Sequence, residues 1–145
     1  MTESQASIIR LSERRASQLR YGRGSVERIV DATIGAGSVD LHVNRIRSGS
    51  APGPYHLHTS SENAYLVVAG DVVVRIAGKD YRLGPGDAAF IPPGVPHSAS
   101  NVGQTDAELI EIYAPADVDF VEITESDAST ETEGNARARG DLNDG

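Results

Sequence analysis

Cysteine and tryptophan are absent from this 145-residue chain, methionine occurs once and phenylalanine twice. Without cysteine there is no disulfide framework, no thiolate metal site and no thiol nucleophile. A metal would have to be held by carboxylates and by the four histidines. The chain also lacks a long apolar run, so neither a signal peptide nor a transmembrane helix is expected, and the cytoplasm is the expected location. Basic charge is scarce, with 13 Lys and Arg against 21 Asp and Glu and a net charge of −8. That balance argues against nucleic acid as a partner, because neutralising phosphates needs a basic surface. The length suits a single domain.

The charge is unevenly spread. Residues 1–30 carry six Arg against three Glu, for +3, and residues 31–121 carry −6. Residues 122–145 hold −5 and have little aliphatic content beyond Ile123 except Leu142. Such a segment cannot bury enough apolar surface to offset its ordering entropy, so 122–145 reads as a disordered acidic tail. Residues 1–25 read as an N-terminal arm. Weak helical periodicity runs from Ser12 to Leu19, and its arginines read as a solvated face.

Residues 26–121 show an all-β pattern. Short β-branched runs occupy Ile29–Ile34, Val39–Ile46, Ala64–Val68, Val72–Ile76, Ala88–Ile91 and Leu109–Tyr113. Glycine- and proline-rich turns divide them, as in an antiparallel sandwich or barrel. No Gly-rich turn opens a helix, so dinucleotide and phosphate-loop readings fail. The three consecutive valines Val72–Val74 predict a sheet face shared with a second copy, hence a homodimer.

Three histidines lie in this region. His56 and His58 are two apart, so in extended chain both imidazoles project from one face. Glu62 follows a short polar turn and can return a carboxylate, and His97 sits in a Pro-Gly-Val-Pro-His turn. Imidazoles with one carboxylate suit one divalent transition metal: Fe, Mn, Ni, Co, Cu or Zn.

These residues resemble the motifs of the cupin family. The pattern G-x5-P-x-G-x2-H-x3-N is met at every position by Gly86, Pro92, Gly94, His97 and Asn101. The pattern G-x5-H-x-H-x3-4-E-x6-G is met at His56, His58 and Glu62. It departs at both ends, with Ser50 at the leading glycine and Ala69 at the closing one, Gly70 falling one residue late. The resemblance covers roughly residues 30–115. It implies a double-stranded β-helix, a jelly-roll-like barrel, with His56, His58, Glu62 and His97 on one divalent metal in the barrel mouth.

If Glu62 faces inward, Ala64 and Leu66 share its face and line the pocket, with Phe90 and Ala99 near His97. His42 alternates with Asp40 and Asn44, and parity alone does not say which face looks inward. The preferred reading is an ordinary solvent-facing or interface histidine. The faces of the last strand, Leu109–Tyr113, are likewise open, so His42, Glu111 and Tyr113 are the candidate catalytic groups. The pocket expected from this is moderately apolar, with few groups able to move protons. A metal-dependent cupin acting on a small organic molecule follows, either an oxygenase or a Lewis-acid isomerase, cyclase or decarboxylase. The alternative is a non-enzymatic module that binds a metal or a small molecule.

Overall fold

Alternation of β-branched and polar residues places one row of side chains on each sheet face, and it sets most of the strands. The computed structural model describes residues 5–124. In chain order its strands are β1 (Arg15–Gln18), β2 (Gly24–Val30), β3 (Asp40–Ile46), β4 (His56–Leu57), β5 (Glu62–Ala69) and β6 (Val72–Ile76). They continue as β7 (Lys79–Leu83), β8 (Ala88–Ile91), β9 (His97–Asn101), β10 (Ala107–Ala114) and β11 (Val121–Glu122). A six-stranded sheet has the order β1-β2-β3-β10-β5-β8 and a five-stranded sheet the order β11-β4-β9-β6-β7, with antiparallel pairing throughout. This is the all-β double-stranded β-helix. Among the described residues no helix is long and apolar enough to cross a membrane.

The sheets close on a core that includes Ile46, Tyr65, Val67, Val72, Val74, Ile91 and Leu109. Val72 and Val74 are fully buried there. They are therefore committed to the core, which leaves only the partly buried Val73 of this run for contact with a second copy. The other sheet leaves a group of apolar side chains outside: Leu66, Val68, Phe90 and Ile112 are each 39–46% exposed.

Both ends of the barrel differ from expectation. The segment expected to be helical between Ser12 and Leu19 holds only a 3₁₀ turn at Leu11–Glu13, followed by the edge strand β1. All four β1 residues are exposed, and the strand is held by backbone pairing to β2 and by Arg15 on Asp31 at 2.7 Å. β2 stops at Val30, earlier than the run Ile29–Ile34 predicts. Asp31 accepts from the Thr33 amide at 3.0 Å and caps a 3₁₀ turn over Ala32–Ile34. At the other end, Val121 and Glu122 pair with Leu57 and His56, and the Ile123 amide donates to Tyr55. The tail expected from residue 122 thus begins as sheet, and its residues from 125 onward lie outside the described residues.

Candidate metal centre and cavity

The site is built where β4 meets β9. His56 stands directly opposite His97 in that antiparallel pair, and His58 lies two residues on along the same face. The three imidazoles are buried, with ring centroids 4.3–5.1 Å apart. One ring nitrogen from each lies within 4.8 Å of the other two, so the three can hold one ion.

Backbone carbonyls fix the chemistry of each ring. The Nδ1 of His56 donates to Pro54 at 2.7 Å, that of His58 to Asp119 at 2.5 Å and that of His97 to Val95 at 2.9 Å. A carbonyl only accepts, so each Nδ1 carries the proton and each Nε2 presents a lone pair. The buried Nε2 atoms of His58 and His97 have no hydrogen-bond partner among the described residues. Burial, followed by the neighbouring His97, pushes the His56 imidazole down to about 2, and burial pushes His97 down to about 4. Neutral rings with unpaired lone pairs facing one another suit a divalent transition metal.

The carboxylate expected from Glu62 is not with them. Glu62 is exposed, and its strand buries Asn63, Tyr65 and Val67 instead. Ala64, Leu66 and Phe90 accordingly lie away from the site: Ala64 and Phe90 are opposite each other in the β5–β8 pair, and Leu66 and Phe90 are substantially exposed. The inward residue is Asn63, which is 1% exposed, and neither amide atom has a well-formed hydrogen bond. It stands opposite Tyr113, whose hydroxyl is close enough to feel the amide and whose ring packs on His58 at 4.9 Å. One signal pointed to this register. Gly70 has φ +94°, and a Cβ there would approach the Ala107 Cα to 2.7 Å, so glycine is required. Counting back the motif's six-residue gap from Gly70 reaches Asn63, through the four-residue form of the preceding gap.

A cavity of about 280 Å³ opens beside the imidazoles, lined among others by His42, Glu111, Tyr113, Tyr65 and Ala99. The reading of His42 as a solvent-facing or interface residue is corrected, since it is 4% exposed and faces this cavity. Its Nδ1 meets Asp40 at 2.7 Å and its Nε2 meets Glu111 at 2.9 Å. The Asn44 amide also donates to the same Glu111 oxygen. Burial opposes a charge on His42, but Glu111 and then Asp40 outweigh it and hold its pKa above the ordinary value. Tyr113 is pushed well up by burial and by Glu111, so it stays a neutral phenol.

The chain ends close the mouth. Phe120 stacks on His56 at 4.0 Å, and the Arg20 guanidinium lies 3.9 Å over the Phe120 ring. Asp119 binds the Thr59 amide and hydroxyl at 2.8 and 2.6 Å while its carbonyl holds His58. Arg20, Arg23 and Arg28 all line the cavity. The moderately apolar pocket expected from the sequence is thus a charged one, because the N-terminal arm contributes to it.

Residues 43–113 match the family model of the cupin domain. Over 118 residues the chain is 30% identical to the oxalate-binding protein of Thermotoga maritima, spanning 77% of this chain and 97% of that one. The chain is a cupin. A second relative, germin-like protein subfamily T member 3 of Arabidopsis thaliana, is 39% identical over 82 residues, but the cupin spans only 36% of its length. Among solved structures, the polyketide cyclase RemF from Streptomyces resistomycificus superposes with a TM-score of 0.71 at 21% identity, covering 88% of this chain and 92% of that one. At that identity the likeness concerns the fold.

Proposed function

We propose that this cupin is a metal-dependent enzyme that moves a proton on a small carbonyl-bearing molecule, as an isomerase, cyclase or decarboxylase does. The observation that carries this reading is the hydrogen-bonded chain Asp40–His42–Glu111, whose His42 and Glu111 line the same cavity as His56 and His58 of the imidazole cluster. A divalent ion held by His56, His58 and His97, with Asn63 beside them, would act as a Lewis acid on a carbonyl oxygen.

The cavity's own residues supply the proton transfer. Both hydrogen bonds to Glu111 fall on Oε2, so Oε1 carries the carboxylate's remaining accepting capacity. Glu111 takes a proton from substrate carbon on Oε1 and returns it to another atom of the substrate, while His42 stays hydrogen-bonded to Oε2 throughout. Asp40 holds the ring from the other side and fixes its orientation. Tyr113, kept neutral, is a donor for a developing oxyanion. Such a set serves proton transfer directly, which is why proton transfer is preferred here over oxygenation.

The test is deuterium incorporation next to the carbonyl of β-dicarbonyl and keto-acid probes, followed by NMR with Zn(II)-loaded protein. Exchange above the metal-only background is expected, falling about 100-fold or more in Glu111→Gln. Equal exchange in that variant would refute the assignment, and Fe(II)-dependent oxygen uptake would point to an oxygenase instead. A second reading, a module that binds a small molecule without turning it over, is favoured by the name of the Thermotoga relative. Binding without exchange in any probe would support it.

The exposed apolar residues of the six-stranded sheet support a homodimer through that face. Leu66 lies opposite Ile110, and Ala64 lies opposite both Ile112 and Phe90, forming continuous apolar rows across three strands.

A further inference from the structure

We propose that the ligand carries a carboxylate and that Arg23 is the residue that holds it, an inference that takes the cavity to be the site just proposed. Arg23 lies just before β2, is 6% exposed and lines the cavity. Its Nε donates to the Ala51 carbonyl at 3.1 Å and its Nη2 to the Ala99 carbonyl at 2.6 Å. Both bonds use one edge of the guanidinium and fix its plane. They leave Nη1 with no partner among the described residues, and no carboxylate there lies within ion-pair distance of the group. A buried guanidinium hydrogen-bonded only to neutral carbonyls is costly; Glu111 lies near enough to favour its charge but already serves His42, and an anion in the cavity would relieve the rest.

The acids around the cavity are already matched, and Arg20, the other arginine there without an ion pair, is exposed and lies over the Phe120 ring. Asp40 meets Arg28 at 3.6 Å and His42 at 2.7 Å, and Glu111 meets His42. Arg23 is left over. Tyr65 is 3% exposed, lines the same cavity and lies close enough to Arg23 to influence it, while its hydroxyl has no hydrogen bond among the described residues. One guanidinium edge and one phenol match the two oxygens of a carboxylate, and a single buried cation balances a single negative charge. The three imidazoles bring no negative charge, so an ion held by them keeps its own. About 280 Å³ sits near the lower end of ligand-pocket sizes, which restricts the ligand to a small molecule.

The experiment measures affinity by calorimetry for three pairs at fixed ionic strength: pyruvate and pyruvamide, acetoacetate and acetoacetamide, levulinate and levulinamide. Each amide keeps the keto group and the shape but loses the charge, and the three lengths span different separations between metal and guanidinium. At least one acid is expected to bind about tenfold or more tightly than its amide. Arg23→Gln should bring that ratio below threefold with metal content unchanged. Tyr65→Phe, which removes only a hydroxyl, should weaken the acid several-fold and spare the amide. Ratios within threefold for all three pairs in the unmodified protein would overturn the proposal, whether or not Arg23→Gln folds. So would a ratio unchanged in a folded Arg23→Gln protein. Running each titration on Zn(II)-loaded and on chelator-stripped protein separates this inference from the metal reading. A charge preference kept in a protein that binds no zinc supports Arg23 and sinks the metal centre. A preference absent from zinc-loaded protein sinks Arg23 alone.

Discussion

Glu111→Gln keeps the size of the side chain and removes one charge from a pair whose members are 3% and 4% exposed. The His42 nitrogen and the Glu111 oxygen are 2.9 Å apart, which at an effective dielectric of about 20 is an attraction of roughly 6 kcal/mol before desolvation. Desolvation cancels much of that. Removing one partner of a buried pair leaves the other stranded, at a cost of about 3–5 kcal/mol. Here Asp40 still holds His42 at 2.7 Å, so the lower end applies and a loss of about 3 kcal/mol is expected, roughly 10 °C in Tm. The pH dependence has a definite sign. His42 has a folded-state pKa above its ordinary value, so its contribution is complete below about 6.5 and is lost as pH rises through the folded value. Urea unfolding of metal-free protein at pH 6 and pH 9 should show the larger deficit at pH 6. The cycle with His42→Gln should return a coupling of about 2 kcal/mol. A deficit under about 1 kcal/mol, the same deficit at both pH values, or simple additivity of the two substitutions would refute the paired-charge account.

Two further predictions follow from the strand register. Asn63→Ala should weaken zinc binding about tenfold by competition with a chromophoric chelator, whereas Glu62→Ala should leave it unchanged; the reverse order would restore Glu62 to the site. Leu66→Glu places a charge among the exposed apolar rows and should convert a dimer to a folded monomer in sedimentation velocity, while an unchanged sedimentation coefficient would remove that face from consideration.

The histidine centre was legible in the sequence because its information is local. The separation of His56 and His58 fixes their common face in any extended segment, and the glycines and prolines before His97 fix a turn. The strands were legible for the same reason, since a run such as Val72–Ile76 carries its own β-branched signal. Glu62 was misplaced by one residue because parity is strict along a strand but does not say where the strand leaves a turn, and a one-residue slip exchanges every side chain between faces. The closing glycine resolves that slip, since only a residue at Gly70 tolerates both the φ and the approach to Ala107.

The cavity's charge was hidden for a different reason. Arg23 is 28 residues from Ala51 and 76 from Ala99, the two carbonyls that hold it, and Glu111 is 69 residues from His42. In the sequence these residues read as a basic arm and as isolated polar positions on strands. β1, exposed at all four positions and polar at all but Ala16, has no apolar periodicity to announce it. Yet its pairing with β2 ties the N-terminal segment to the sheet and sets Arg23 at the cavity, while β11 brings Phe120 over His56. The barrel alone supplies the three neutral imidazoles and the hydrogen-bonded Asp40–His42–Glu111 chain. It is the N-terminal segment, tied down by edge-strand pairing, that brings Arg20 and Arg23 to the pocket and with them the ligand preference proposed above.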